Sequence, residues 1–284
     1  MIKKKIKSLL KREHYIDRPL GQWLKKIQSA QYGEEWSVIA HAGGGTQNNS
    51  QTALTYTNSL QSVVDSIQDG KKLIELDLSV TSDNKLVAVH NWPEFKAKIG
   101  LDRIHINQKH NNEPLSYDEF VNCEYETGIN TLGIDEINRI FDEHSDLVLV
   151  TDKVKNLALL KEQFNFPDRV IIETFNHRNF NDAVSLGFEN LVVNIDIKEK
   201  NIANWVMKHK IKAVSFNARS VESNKRAFNN ALKLQQAGVV SLAFTTNDDH
   251  FIYHHLNIAF SAFYTDYWSL KAKRSLVLGG NVTY

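Results

Sequence analysis

The chain has 284 residues, of which 42% are hydrophobic and 24% are charged. This composition is that of a globular protein with a sizeable core, and it excludes a disordered chain. Its only cysteine, Cys123, cannot form an internal disulfide, and a net charge of +1 gives no general attraction to nucleic acid. We therefore expect a cytoplasmic protein without a nucleic-acid partner.

The first 30 residues are strongly basic, with nine Lys or Arg side chains against two acidic ones. Four apolar residues between Ile2 and Leu10 share one helical face, but no apolar run is long enough for a secretory signal or a membrane span. We predict that residues 1–35 form a basic helical segment. Two interpretations stay open: a solvated helix that caps the bottom of the fold, or peripheral contact of residues 1–12 with anionic lipid at the inner membrane face.

From residue 36 onward, short β-branched runs alternate with longer amphipathic stretches, a pattern typical of βα units around a parallel sheet. Strands are predicted at 37–42, 72–80, 85–90, 147–152, 170–175, 190–195, 212–217, 239–245 and 260–265. The run at 85–90 is interpreted as an antiparallel hairpin partner, which leaves about eight parallel strands. This number predicts an α/β fold, a (β/α)₈ TIM barrel over residues 36–284.

Helices fit between most of these strands, and two of them end in Gly187 and Gly238 at the expected stop position. Helices are predicted at 57–68, 134–143, 156–164, 180–186, 202–208, 225–237 and 248–256. A polar, Asn-rich stretch at about 93–133 interrupts the alternation and predicts an insertion after the second strand. Such excursions at the carboxyl ends of barrel strands usually shape a substrate mouth.

Apolar and polar residues alternate along Lys72–Val80, which indicates a strand. Helices cover the outside of a parallel barrel, so Glu75 and Asp77 are expected to point inward near its carboxyl end. Carboxylates about 6–7 Å apart repel each other, so either one is protonated or a cation such as Ca²⁺ or Mg²⁺ lies between them. A solvated acidic face would need an antiparallel, half-exposed sheet, which the βα rhythm disfavours.

Two histidines also stand at predicted strand ends. His41 ends the first strand and precedes the glycine turn 43–45, whose amides can receive a phosphate. The turn is a weak signal, because it lacks the spacing of a dinucleotide fingerprint or a nucleotide P-loop. His90 ends the hairpin strand. Two imidazoles beside a metal-held anion can act as base and acid in turn, so this pair indicates catalysis.

Four segments, in this order and spacing, resemble the signatures of the glycerophosphodiester phosphodiesterase family. They are Val-Ile-Ala-His-Ala-Gly at 38–43, Tyr-Thr-Asn-Ser-Leu at 56–60, Ile-Glu-Leu-Asp at 74–77 and Leu-Val-Ala-Val-His-Asn-Trp at 86–92. That family belongs to a TIM-barrel superfamily that includes phosphatidylinositol-specific phospholipase C and sphingomyelinase D. Looser matches at 149–153, 244–247 and 264–266 extend the resemblance over residues 37–267.

The resemblance implies a metal-dependent phosphodiesterase of lipid metabolism that hydrolyses a glycerophosphodiester-type substrate. In this interpretation His41 and His90 are the catalytic pair, one as base and the other as acid, in an order that the sequence leaves open. Lys153 meets the phosphate. The implied ligands of one divalent cation, Ca²⁺ or Mg²⁺, are Glu75, Asp77 and Asp152.

The chain also departs from the family pattern. Ala42 stands where the family usually has arginine, Thr57 where it has glutamate, and Asp152 where the diesterases commonly have glutamate and the sphingomyelinase D type has aspartate. Loss of an arginine clamp changes how a phosphate is held. Two alternatives therefore stay open: a lyase of the phospholipase or sphingomyelinase D kind that forms a cyclic phosphate, or a non-catalytic barrel that binds a phosphorylated polymer or lipid.

Three further residues are expected at the substrate. Asn58 belongs to the second signature segment, and Trp92 follows a strand end, where it can form a wall of the mouth. Glu173 lies near the end of the fourth strand, where an inward acid reaches the metal or a substrate hydroxyl, or else has a buried structural role.

Overall fold

The computed structural model describes residues 14–99, 113–124, 128–152, 154 and 156–276, so the basic stretch at 1–12 lies outside the described residues. In chain order the helices are α1 (Gln22–Ser29), α2 (Leu60–Gln68), α3 (Trp92–Lys98), α4 (Tyr117–Val121), α5 (Ile134–Glu143), α6 (Leu157–Gln163), α7 (His177–Ser185), α8 (Ile202–Lys208), α9 (Ala218–Ser223), α10 (Lys225–Gln236) and α11 (Asp249–His255). Single 3₁₀ turns lie at Glu35–Ser37, His41–Gly43 and Pro167–Arg169.

The strands, also in chain order, are β1 (Val38–Ala40), β2 (Thr46–Gln47), β3 (Ala53–Leu54), β4 (Leu73–Glu75), β5 (Leu78–Val80), β6 (Leu86–Ala88), β7 (Val148–Thr151), β8 (Val170–Thr174), β9 (Asn190–Asn194), β10 (Ala213–Asn217), β11 (Val240–Phe244), β12 (Ala262–Thr265), β13 (Trp268–Ser269) and β14 (Arg274–Ser275). Eight of them form a closed parallel barrel in the order β1, β4, β7, β8, β9, β10, β11 and β12, and β12 pairs again with β1. The predicted (β/α)₈ barrel is thereby confirmed.

The barrel separates two apolar layers, as the alternation of its strands requires. Ile39 lies beside Leu73 on one neighbouring strand and Tyr264 on the other, and all three side chains face the barrel interior. Val38 and Ile74 belong instead to the larger core between the strands and the surrounding helices. Interior positions near the carboxyl ends are therefore available to polar side chains.

Helix α1 closes the amino-terminal end of the barrel. Leu24 and Ile27 are 1% and 0% exposed and pack into the interior cluster, where each contributes about 1.5–3 kcal/mol of burial free energy. The Trp23 amide donates to Asn190 at the start of β9. Among the described residues, α1 thus covers this end of the barrel and leaves the opposite end open to a ligand. No helix in the described ranges combines the length and the hydropathy that a membrane span requires.

The predicted strand 72–80 is two strands, which corrects the expectation of a continuous one. The Leu76 amide still donates to Val150 of the barrel, but the Asp77 carbonyl accepts from Val89 of the hairpin. Strand β5 then pairs antiparallel with β6, as predicted for 85–90. Asp77 therefore lies at the point where the chain stops pairing with a neighbouring barrel strand and starts pairing with the hairpin.

The insertion after this hairpin contains α3 and α4 and has its own small apolar cluster. Trp92 is 8% exposed and packs edge-on against Phe95 and Phe120, with ring centroids 5.9 and 6.0 Å away. Trp92 is thus mostly buried in this cluster, and its predicted contact with substrate stays a prediction.

The glycine turn after β1 lies directly against α2. Gly44 has φ 101° and ψ 174°, a backbone conformation that is essentially restricted to glycine. A Cβ atom built at this residue would be 2.2 Å from the Ser66 Oγ. The Gly44 amide donates to the His41 carbonyl and the Gly45 amide to the Asp266 carbonyl, so these two amides are not directed at a phosphate as the sequence suggested.

We expect Gly44→Ala to lower the free energy of unfolding by about 3 kcal/mol, because it combines backbone strain with a clash against α2. Gly187→Ala is the matched control, since φ there is +87° but the nearest neighbour of an added Cβ is 3.8 Å away, and we expect a loss of about 1 kcal/mol. Urea denaturation measures both. Equal losses would show that the contact between the turn and α2 does not matter.

Candidate active site

A cavity of about 260 Å³ opens at the carboxyl ends of the barrel strands. His41 and the aromatic rings of Phe175 and Phe244 form part of its wall. Among the described residues that line it there is no lysine or arginine. Its carboxylates and tyrosines are Glu75, Asp77, Asp152, Glu173, Tyr56 and Tyr264.

Three of these carboxylates converge. Glu75 ends β4, Asp77 follows two residues later, and Asp152 comes directly after β7, the neighbour of β4 in the barrel. One oxygen atom from each carboxylate lies within 4.8 Å of the other two. Glu75 and Asp77 are only 5% and 2% exposed. Strand β7 stops at Thr151, and this ending allows Asp152 to turn toward the cavity.

The trio is electrostatically unfavourable when it holds no cation. Burial raises the pKa of Glu75 well above its usual range, and the charges of Asp77 and Asp152 raise it further. The Ala42 amide, which donates to the Glu75 Oε2 at 2.6 Å, acts in the opposite direction. Oxygens bound to one Ca²⁺ can lie up to about 5 Å apart, so this all-oxygen donor set fits a hard dication.

The loop between β1 and α2 holds the two acids of the β4 segment. The Asn58 side chain donates to the Asp77 Oδ2 at 3.0 Å and accepts from the Asp77 amide at 2.9 Å. Tyr56 lines the same cavity as Asp77. Burial and the nearby carboxylates hold the pKa of Tyr56 far above its usual value, so its hydroxyl remains a donor. In this structure Asn58 orients Asp77, and its predicted contact with substrate stays a prediction.

His41 begins the 3₁₀ turn that follows β1, and it has a carboxylate partner. Its Nδ1 lies 2.9 Å from the Asp266 Oδ1, and the other oxygen of Asp266 accepts from the Asn247 amide at 3.1 Å. An ionised carboxylate can only accept, so Nδ1 carries the hydrogen and Nε2 is left for chemistry. The arrangement orients the imidazole as a catalytic base or acid requires.

His90 lies on the other side of Tyr56. The Tyr56 ring centroid is 4.8 Å from that of His41 and 4.9 Å from that of His90. The His90 Nδ1 is 3.1 Å from the Glu94 Oε2. Although burial opposes its ionisation, the hydrogen bond to His90 and the charge of Lys98 lower the pKa of Glu94. The structure thus brings both predicted histidines to the same end of the barrel, but with a tyrosine ring between them.

Glu173 lies inside the cavity near the end of β8 and is 6% exposed. Its Oε1 accepts from Asn194 at 2.7 Å and its Oε2 from the Tyr264 hydroxyl at 3.2 Å. Burial and the charge of Glu173 raise the pKa of Tyr264 well above its usual range. Phe175, two residues further along the chain, is 51% exposed at the rim.

Lys153, the predicted phosphate contact, lies outside the described residues. Ala42, at the position of the family arginine, is 0% exposed and has φ 48°, so its side chain does not reach the cavity. Sequence reasoning missed the roles of Asp266, Asn247 and Tyr56. The first two follow the carboxyl ends of barrel strands, which is a usable signal, and Tyr56 begins the second signature segment, whose resemblance pointed to Asn58 but not to the tyrosine.

No model of a protein family matches the chain, and no curated protein matches it in sequence. Its fold is nevertheless found in solved structures. A glycerophosphodiester phosphodiesterase from Parabacteroides distasonis superposes with a TM-score of 0.57 at 15% sequence identity, over 81% of this chain and 92% of that one. A second, from Thermotoga maritima, has a TM-score of 0.58 at 15% identity, over 83% of this chain and 96% of that one.

A third structure is a phosphodiesterase from Oleispira antarctica in complex with its product, sn-glycerol-3-phosphate. Its TM-score is 0.56 at 16% identity, over 83% of this chain and 94% of the other. At such identities the similarity establishes the fold: the chain has the same barrel architecture as these enzymes. The chain covers nearly the full length of each of them.

The raised pKa of Glu75 leads to a prediction about stability without metal. A carboxyl whose pKa is raised by folding stabilises the fold below its unfolded pKa and loses that contribution as pH rises through the folded value. We therefore expect Glu75→Gln to stabilise the metal-free protein at neutral pH, on the order of 1 kcal/mol, with the gain fading in acid.

Denaturant unfolding in chelator at several pH values measures this gain. Glu162→Gln, at an exposed site on α6, is the control and should change stability by less than about 0.5 kcal/mol at neutral pH. A loss of stability in Glu75→Gln at neutral pH would contradict the repulsion described above.

Proposed function

We propose that this protein is a metal-dependent phosphodiesterase that hydrolyses a glycerophosphodiester-type substrate. The observation that carries the proposal is the convergence of Glu75, Asp77 and Asp152 beside the hydrogen-bonded pair of His41 and Asp266. Catalytic sites of TIM-barrel enzymes lie at this end of the strands. The three solved structures named above share the barrel and carry phosphodiesterase names, which supports the same reaction class.

Glu75, Asp77 and Asp152 would hold one divalent cation, Ca²⁺ or Mg²⁺. When bound, such a cation polarises a phosphoryl oxygen and stabilises the negative charge that develops during in-line displacement. The three carboxylates suit this task because one oxygen atom of each already lies within 4.8 Å of the other two. The folded chain therefore loses no further conformational entropy to bring them together. A lining that is acidic, with no described lysine or arginine, also favours a substrate that arrives together with a cation.

His41 and His90 would carry the protons. With its Nδ1 hydrogen donated to Asp266, His41 presents Nε2 to the cavity and can take a proton from an attacking water or hydroxyl. Asp266 stabilises the imidazolium that forms, and Asn247 fixes that carboxylate. His90 stands across Tyr56, where it can serve the opposite end of the diester. Which histidine acts as base is decided by which end of the substrate faces it.

Formation of a cyclic phosphate is the second candidate, because Asp152 as third carboxylate matches the sphingomyelinase D type. The first step would then be attack of a substrate hydroxyl on phosphorus instead of attack of water. Phosphorus NMR of the product distinguishes the two, since a cyclic ester has a resonance distinct from that of the phosphomonoester.

We expect the purified protein to cleave bis(p-nitrophenyl) phosphate or glycerophosphocholine, and to lose that activity in chelator. His41→Ala should lower kcat/KM by about 10²–10⁴-fold, the usual contribution of a general acid or base. Glu75→Ala should lose activity and metal response together, because it removes a proposed metal ligand.

His250→Ala, at an exposed histidine on α11, is the matched control and should retain the parent activity. An inactive parent, indistinguishable from the His41 and Glu75 variants on both substrates, would favour the non-catalytic binding barrel instead.

Replacement of Asp266 by asparagine tests the orientation of His41. An amide can donate to Nδ1 and so stabilise the wrong tautomer, and we expect kcat to fall by about 10²-fold or more while KM changes little. Asp182→Asn, at an exposed position on α7, is the control. Unchanged kcat in Asp266→Asn would contradict the proposed role of Asp266 in orienting His41.

A further inference from the structure

His90 has a carboxylate partner on the first helix of the insertion. Its Nδ1 lies 3.1 Å from the Glu94 Oε2. The other oxygen of this carboxylate, Oε1, is 3.3 Å from the Lys98 ammonium, and that positive charge favours the ionised form of Glu94. The two oxygens of Glu94 are thus divided between a histidine of the proposed site and a lysine one helical turn further along α3.

The hydrogen bonds around Glu94 decide which nitrogen of the neutral His90 ring carries the hydrogen. The Asn91 side-chain nitrogen donates to the Glu94 Oε2 at 2.9 Å and lies 3.1 Å from the His90 Nδ1. If Nδ1 accepted a hydrogen from this amide, its lone pair would face an ionised carboxylate at 3.1 Å, and two acceptors repel each other. Nδ1 is therefore the protonated nitrogen, which leaves the Nε2 lone pair for proton transfer.

The position of Glu94 relative to the hairpin is fixed by the packing and capping of α3. Phe95, the next residue of the helix, is 3% exposed and belongs to one apolar cluster with Val89 of the hairpin. Asn91 caps the helix, because its Oδ1 accepts from the Glu94 amide at 2.9 Å. This cap uses the backbone of Glu94 and not its side chain. The carboxylate is therefore not required to begin α3.

We propose that Glu94 is a positioning residue that orients His90 for proton transfer, as Asp266 orients His41. The proposal rests on the proposed function, in which His90 carries a proton. Both imidazoles would then direct an Nδ1 hydrogen at a carboxylate and present Nε2 to the substrate. The insertion would thereby contribute to the chemistry, because its first helix supplies one of the two orienting carboxylates.

The tautomer of His90 tests this role independently of any activity. Nitrogen-15 NMR of the metal-free full chain, at a pH where the histidines are neutral, distinguishes the protonated ring nitrogen from the other one. His41→Ala and His90→Ala assign the signals. We expect the Nδ1–H form of His90 in the parent. Glu94→Ala should shift both nitrogen signals of His90 toward those of the Nε2–H form and leave those of His41 in place.

Kinetics on bis(p-nitrophenyl) phosphate test the consequence for the reaction. The side chains of His90 and Glu94 are 32% and 41% exposed. Those of His41 and Asp266 are 21% and 13% exposed, so water replaces Glu94 more readily than it replaces Asp266. We therefore expect kcat to fall about 10-fold in Glu94→Ala, less than in Asp266→Asn, while KM stays within about twofold.

Glu119→Ala is the matched control. Glu119 is the third residue of α4, as Glu94 is of α3, and both helices belong to the insertion. Its carboxylate accepts from the Ser116 amide and hydroxyl instead of from a histidine. The variant therefore perturbs the insertion without touching His90, and the tautomer and kcat should both match the parent. Equal effects in the two variants would assign the result to the insertion as a whole and overturn the role of Glu94.

The remaining outcomes separate this role from the proposed function. An unchanged His90 tautomer in Glu94→Ala overturns the role of Glu94, and so does a changed tautomer with parental kcat. Both leave the phosphodiesterase proposal standing, because the parent is active. A parent that cleaves no diester overturns the proposed function and the role of Glu94 together. Glu94→Met, of similar volume and high helix propensity but without a carboxylate, gives the same decision if Glu94→Ala does not fold.

Discussion

Mutual repulsion among Glu75, Asp77 and Asp152 is the constraint around which the upper end of this barrel is organised. Adjacent strands bring these carboxylates together, and burial removes the water that would screen them. The barrel cannot relax the repulsion by moving a strand, because hydrogen bonds on both sides fix β4 and β7. What remains is compensation from outside the strands, by amide donors and, in the function proposed here, by a divalent cation.

The loop between β1 and α2 supplies those donors, and its irregular backbone follows from that task. Ala42 and Asn58 both have positive φ, and each directs a hydrogen-bond donor toward Glu75 or Asp77. The left-handed backbone conformation is unfavourable for a residue other than glycine, but here a hydrogen bond to a buried carboxylate offsets it. The glycine turn allows this loop to lie close against α2. The hydrogen bonds from the loop therefore stabilise the buried carboxylates, and the same hydrogen bonds hold the loop in its strained conformation.

The two ends of the barrel differ in character: the amino end is apolar and stabilises the fold, whereas the carboxyl end contains the polar side chains of the proposed site. At the amino end, Leu24 and Ile27 of α1 pack into the apolar cluster of the barrel interior and close it. At the carboxyl end, polar side chains occupy the corresponding interior positions, and the same alternation that buries Leu73 also buries Glu75 two residues later. The same alternation along the strands thus supplies both an apolar core and a cluster of buried carboxylates. Burial of the apolar side chains offsets the unfavourable burial of the carboxylates.

The sequence by itself determined the barrel, because a period of two along each strand and the spacing of βα units are local properties. It also placed Glu75, Asp77 and His41 at strand ends on one edge. It left open whether the amino-terminal segment caps the barrel, and it did not show that the run 72–80 changes partner at Asp77 or that Trp92 is buried. Those outcomes depend on contacts between distant segments. Only the tertiary structure decided that Asp266 meets His41 and that Tyr56 separates the histidines, because left-handed loop residues and partners 225 positions apart leave no periodic trace.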